Sequence, residues 1–249
     1  MWLRSKRLEE AGFRHAFSTR EGGVSEGPFA SLNLARTVGD DPAAVAENTR
    51  RFEAALECDR LYEVSQVHGR AVERVSHDEP VAEIRRREAD ALVTSVAGAA
   101  VAVRTADCVP ILLADPASGA VAAVHAGWRG VAQNILRVAL EELGATDPIA
   151  AIGPHIRLDA FEVGDEVAAE IARAVPGARV VEARAPRPHV DLAAAARAQL
   201  AEAGVTEIDD VGGCTHAEPA RFFSHRRDAG KTGRHLSAIV ARARTSGST

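Results

Sequence analysis

The chain has one methionine, Met1, and only three cysteines, Cys58, Cys108 and Cys214. The cysteines are far apart and form no CxxC pair. That argues against a disulfide scaffold, a zinc finger or a thioredoxin-like motif, and for a reducing compartment. The uncharged apolar stretch Val93 to Val103 is 11 residues and no uncharged run exceeds 13, whereas a membrane-spanning helix needs roughly 20. Met1 to Ala11 carries charges throughout and lacks the apolar segment of a secretion signal. A cytoplasmic protein with no membrane partner is expected. Positive charge is not in excess either: 30 Lys and Arg against 35 Asp and Glu give a formal net charge of -5. This disfavours a general nucleic-acid binder, while a local basic pocket remains open. Internal repeats and low-complexity linkers are lacking. The polar tail from Ala243 to Thr249 is expected to fray.

What is present suits a globular enzyme. The 249 residues, 46% hydrophobic and 26% charged, are enough to bury a large core. Phe13 to Thr19 reads as a strand, followed by a turn at Arg20-Glu21-Gly22-Gly23. Asp41-Pro42 opens a helix with an apolar face of Val45, Phe52 and Leu56. Leu61 to Val67 reads as a strand running into His68-Gly69. Ala99 to Val103, Val109 to Ala114 and Ala120 to Val124 read as strands, the last two joined as a hairpin through Asp115-Pro116-Ala117-Ser118-Gly119. A helix then carries Ala132, Ile135, Leu136, Ala139, Leu140 and Leu143 on one face and stops at Gly144. Ile149 to Ile152 is a further strand. Asp165 and Asp191 are read as caps of two more helices, the first stopped by Pro176 and the second by Gly204. Ile208 to Val211 and His235 to Val240 close the pattern. Hairpins interspersed with helices favour an α+β fold, with mixed β-sheets flanked by helices, over a doubly wound parallel sheet.

Three segments could carry chemistry: Gln66-Val67-His68-Gly69, Ala106-Asp107-Cys108-Val109-Pro110 and Val124-His125-Ala126-Gly127-Trp128-Arg129-Gly130. Each sets a His or Cys at or near a strand end, where the scaffold is rigid and the adjoining loop accessible. Two imidazoles and one thiolate are a borderline-soft set that suits Zn²⁺ and leaves a fourth position for water. Zinc can lower the pKa of that water to about 7. Spacings of 40 and 17 residues do not by themselves separate this from three unrelated residues. A blue-copper site would need an axial ligand such as Met, and Met1 is a poor candidate. None of the nine histidines forms a His-x-His pair, which disfavours multicopper chemistry. Cys108 with His125 could instead be a nucleophile and its base, as in a cysteine hydrolase or deamidase. Arg129, in a glycine-rich loop before a helix, is a candidate anion holder. So are Arg226 and Arg227 in Ser224-His225-Arg226-Arg227-Asp228, a loop that could equally be solvated and internally paired. Arg20 and Asn33 are weaker candidates. Cys58 and Cys214 read as structural.

Taken together, the segments are specific. Phe17-Ser18-Thr19-Arg20-Glu21-Gly22-Gly23-Val24-Ser25, Ser31-Leu32-Asn33-Leu34, the three segments above, Ile152-Gly153-Pro154 and Ser224-His225-Arg226-Arg227-Asp228 occur in one order from about Phe13 to Val240. The set resembles the YfiH-like, laccase-domain family, labelled first as multicopper polyphenol oxidases and then as purine nucleoside phosphorylases. The resemblance implies a single domain over residues 1–249, with an α+β sandwich also found in a bacterial toxin deamidase. It implies one Zn²⁺ held by His68, Cys108 and His125, with copper as the second choice. It also implies phosphorolysis of adenosine, inosine, guanosine and methylthioadenosine, and deamination of adenosine. The partners expected are purine nucleosides and phosphate, for a monomer or small homo-oligomer. Asp107 would be the proton shuttle, with orientation of a ligand or turn as its alternative. Arg129, Arg226, Arg227, Asn33 and Arg20 would contact substrate. One departure is His225, where the family pattern calls for an aromatic such as Tyr. A copper-linked polyphenol oxidase, the cysteine hydrolase and a non-catalytic metal-binding protein remain alternatives.

Overall fold

The computed structural model describes residues 2–77 and 79–244, so Met1 and most of the polar tail lie outside the described residues. Two mixed sheets carry the fold. One has five strands, in the order Trp2–Leu3, His15–Ser18, His235–Val240, Ala99–Thr105, Arg60–Tyr62. The other has six, in the order Glu207–Asp210, Ile149–Ile152, Val109–Ala114, Val121–Ala126, Ala91–Thr94, Val72–Val75. Each contains both parallel and antiparallel pairs. The expected α+β architecture is the one observed.

Strand alternation explains how the layers stack. Successive side chains of a strand point to opposite faces, and both faces of the central strands are buried. On Val109–Ala114, Leu112 and Ala114 join a core shared with Phe17, Val101, Val103 and Ile239 of the other sheet. Ile111 and Leu113 join a second core against the helices Ile135–Leu143, Asp165–Ala174 and Leu192–Glu202. On Ala99–Thr105, Ala100 and Ala102 pack instead with Phe52 and Leu56 of the helix Pro42–Leu56. The order of layers is therefore helix, five-stranded sheet, six-stranded sheet, helices. Such two-sided burial produces apolar runs, not clean alternation, in the sequence.

Several boundaries differ from the sequence reading, each for a local reason. The strand expected from Leu61 to Val67 spans only Arg60–Tyr62. Beyond it, the Gln66 side chain replaces a ladder partner: its Nε2 donates to the Arg104 carbonyl at 2.8 Å, and its Oε1 accepts from the Arg104 N–H at 2.7 Å. The helix expected from Ala132 to Leu143 is two helices, Trp128–Ala132 and Ile135–Leu143. They are divided at Asn134, whose left-handed backbone (φ 57°) lets its side chain cap the second. Asp165 is not a cap; Gly164 occupies that position and Asp165 is the first helical residue, where its charge favours the dipole. Asp41 and Asp191 do cap, accepting from the amides of Ala43 and Ala194. The strands Val72–Val75 and Ala91–Thr94 and the helix Lys6–Glu10 had no counterpart in the sequence reading.

Candidate metal centre and active-site cavity

The six-stranded sheet assembles the centre. Val109 pairs with Ala126, and Pro110 with His125. Cys108, one residue before its strand, is thereby brought beside His125 near the end of the neighbouring strand. On the other side Ala91 pairs with Val124, which brings Asp90 alongside. His68 arrives from the loop after Arg60–Tyr62. The ligating atoms of His68, Cys108 and His125 all lie within 4.8 Å of one another. The two imidazoles meet edge to face, with ring centroids 4.8 Å apart.

Asp90 was not singled out from the sequence, yet it organises the centre. Its Oδ1 sits 2.7 Å from His125 Nδ1 and accepts the His68 amide at 3.0 Å; its Oδ2 accepts the amides of Val67 at 3.3 Å and Gly69 at 2.6 Å. The carboxylate thus does two things. It holds His68 in a left-handed conformation (φ 59°) that a non-glycine residue seldom adopts. It also engages Nδ1 of His125, leaving Nε2 as the nitrogen available to a metal. No spacing rule marks an aspartate at a strand start in this way. Burial raises the Asp90 carboxyl, but the hydrogen bonds from His125 and the Gly69 amide outweigh it and hold it below the usual range.

Burial also pushes the Cys108 thiol up, but the adjacent His125 and His68 outweigh it and bring it down to about 6. Burial likewise opposes charge on His125, while Cys108 and Asp90 raise it to about 9. The site is electrostatically set for a thiolate, the form in which cysteine ligates a metal. Gly127 leaves room for the cluster: a Cβ there would meet His68 Cδ2 at 3.2 Å, Cys108 Sγ at 3.3 Å and His125 Cε1 at 3.5 Å. Donor set, proximity and the Asp90 brace all fit a borderline-soft metal ion such as zinc. His125 is buried and His68 exposed, so the centre opens to one side.

That side is a cavity of about 640 Å³, within the usual range for small-molecule sites. One wall is partly aromatic, with Trp128, Phe161, Ile156 and Leu192. Arg129 lies over the Trp128 ring at 4.5 Å and Arg226 over Phe161 at 5.4 Å. Both arginines line the cavity, as do Asp107 and His225. His225 Nδ1 is 3.4 Å from an Arg234 guanidinium nitrogen. Both oxygens of Asp107 are engaged: Oδ1 accepts from Thr215 Oγ1 at 2.6 Å, and Oδ2 from the Arg226 amide at 2.7 Å. Asp107 itself has φ 93°. It ties the turn before Cys108 to the Arg226 loop.

Three of the expected substrate contacts lie away from the cavity. The Arg227 guanidinium turns inward, to Asp228 and the carbonyls of Thr215 and Phe222. Asn33 is fully buried, bonded to Ala35, Asp40 and the Arg234 amide. Arg20 donates to the carbonyls of Ala30 and Pro219 and lies over Phe223. All three brace loops and none lines the cavity. Four other arginines do line it, Arg36, Arg85, Arg104 and Arg234, and isolated arginines in a chain with 30 cations carry no sequence signal.

The model of the family described as multi-copper polyphenol oxidoreductase laccase matches residues 14–242. The chain belongs to this laccase-domain, YfiH-like family. It is 45% identical over 242 residues to a purine nucleoside phosphorylase of Deinococcus radiodurans, covering 94% of this chain and 91% of that one. It is 40% identical over 243 residues to one of Pseudomonas aeruginosa, covering 96% and 97%. Among solved structures, YlmD from Geobacillus stearothermophilus superposes with a TM-score of 0.89 at 36% identity, over 97% of this chain and 96% of that one. The YfiH protein of Bacillus licheniformis gives 0.85 at 30% identity, over 91% and 92%. Among the described residues no helix is long and apolar enough to cross a membrane.

Proposed function

We propose that this chain is a purine nucleoside phosphorylase whose reaction takes place in the cavity beside His68, Cys108 and His125. The observation that carries the reading is the opening of this three-residue centre directly into a cavity with both aromatic and cationic walls. The relatives named as purine nucleoside phosphorylases, matched over almost the full chain, supply the substrate class. His68, Cys108 and His125 would hold one zinc ion. When bound, such an ion supplies a Lewis acid and lowers the pKa of a coordinated water.

The chain's own residues do the rest. Trp128, Phe161, Ile156 and Leu192 offer the surface against which a purine base packs, and desolvate it. Arg129 and Arg226, anchored over those rings, orient the nucleoside through charge-assisted hydrogen bonds. Asp107 acts here as a positioning residue, because both its oxygens already hold the Thr215 hydroxyl and the Arg226 amide. Deamination of adenosine to inosine would be a second reaction of the same centre.

The test is adenosine turnover by the full-length protein with and without phosphate, products separated by chromatography. Adenine and ribose 1-phosphate appearing only with phosphate support the reading, and inosine would add the deaminase branch. No turnover of any purine nucleoside by zinc-loaded protein would exclude both. Thiol alkylation that stops turnover while zinc stays bound would point instead to Cys108 as a nucleophile.

A further inference from the structure

The cavity has a second cationic wall that the reading above leaves without a role. Arg104 leaves the strand Ala99–Thr105, its backbone clamped on both sides by Gln66. Its guanidinium lies 3.1 Å from Glu63, a carboxylate only 4% exposed, and Arg85 approaches the same carboxylate at 3.9 Å. Arg36 lines the cavity with them, and Arg36, Arg85 and Glu63 all act on Glu53. Three guanidiniums thus lie near two carboxylates, and Glu63 is paired closely with Arg104 and only loosely with Arg85. Thr105, 2% exposed, also lines the cavity, and its hydroxyl has no hydrogen-bond partner among the described residues; nor has Arg85 Nε. Buried polar groups without partners are rare and expensive, so unused donors beside this arginine cluster mark a place for an acceptor-rich ligand. Guanidinium groups only donate, in a planar fork that matches phosphate oxygens. Arg36, Arg85, Arg104 and Thr105 line the same cavity as His68, Cys108 and His125.

We propose that Arg36, Arg85 and Arg104, with the Thr105 hydroxyl, form a phosphoryl subsite in the cavity into which the centre opens. It rests on the phosphorylase reading for its role in turnover. The phosphoryl group is either free inorganic phosphate or a phosphate carried by the substrate, as on a nucleotide, and the chemistry of recognition is the same.

Calorimetric titration of the full chain separates these. Inorganic phosphate, adenosine 5′-monophosphate and adenosine are each titrated into wild type, Arg104→Met and Arg36→Met. Arg36 is exposed, so its variant reports even if removing the Glu63 partner unfolds the other. Loss of a charge-assisted contact should weaken a phosphoryl ligand about tenfold or more, while adenosine binding changes less than twofold. Weakened inorganic phosphate identifies a free co-substrate. Loss of the monophosphate's advantage over adenosine identifies a substrate-borne phosphate. Either result supports the subsite. Unchanged phosphate and monophosphate binding in the variants overturns it, as does a wild type that binds neither. Failure of phosphorolysis alone would strike the reaction reading and leave these isotherms to decide the subsite.

Discussion

At the scale of single residues, Asp90 ties together two of the three residues of the candidate centre. One carboxylate engages His125 Nδ1 and accepts the amides of Val67, His68 and Gly69. Removing an outer partner of a metal-ligating histidine commonly costs 10–100-fold in affinity. Asp90→Ala should therefore weaken zinc by about that factor in a chelator competition; unchanged affinity would contradict the role given to it. Gly127 makes a second case. A methyl group there would press on His68 and Cys108 and touch His125. Gly127→Ala should lower zinc affinity and turnover while shifting the urea midpoint little, since its φ of -72° suits alanine. His68, Cys108 and His125 stood out in the sequence because each sits at or near a strand end, but with nine histidines in the chain only the family resemblance joined them into one set. Asp90 did not stand out, because an aspartate before an apolar run looks like any strand-start residue. That Arg20, Asn33 and Arg227 lie away from the cavity was hidden for a related reason: a polar residue that braces a loop carries the same sequence signal as one that touches a ligand.

At the scale of elements, the apolar periodicity marked the helix face from Ile135 to Leu143 but not the break before it. Asn134 tolerates the left-handed region and caps the second helix by accepting the Arg137 amide. Asn134→Ala loses the cap and keeps the backbone cost. It should destabilise the protein by about 1–3 kcal/mol in urea unfolding, and a change within ±0.3 kcal/mol would show that the cap contributes nothing. The hairpin Val109–Ala114 and Val121–Ala126 was legible because Asp115 to Gly119 is turn chemistry, and Asp115 does accept the amides of Ala117 and Ser118. Ala91–Thr94 was not, since it shares one uncharged run with the strand beginning at Ala99 and only Gly98, at φ 82°, marks the turn between them. The early end of the strand at Tyr62 was hidden as well, because a Gln side chain completes the pairing that backbone would otherwise make.

At the scale of the whole molecule, three histidines are buried as neutral groups. His235 Nε2 accepts the Phe223 amide, His15 Nε2 accepts the Ser5 amide, and His155 Nδ1 donates to the Gly153 carbonyl. Burial lowers all three, His235 to about 3. Between that value and the ordinary 6.5 the unfolded chain binds more protons than the folded one, so stability rises with pH. The stabilisation is complete above about pH 6.5 and is lost as pH falls toward 3, on the order of 5 kcal/mol for His235 alone. Urea midpoints should fall from pH 7 to pH 5, and a flat profile would contradict neutral burial. The two-sheet, four-layer arrangement was legible only as a class. Which alternate residues of Val109–Ala114 face which core depends on long-range pairing that no local pattern encodes. Nucleoside phosphorolysis as proposed needs the His68–Cys108–His125 centre. The most direct measurement is phosphate-dependent adenosine cleavage followed against zinc bound per chain, as the metal is stripped by chelator and restored, for wild type and Cys108→Ala. Activity should follow occupancy toward one zinc per chain and be absent from the variant. Full activity in the stripped protein, or in a folded Cys108→Ala, would contradict the account.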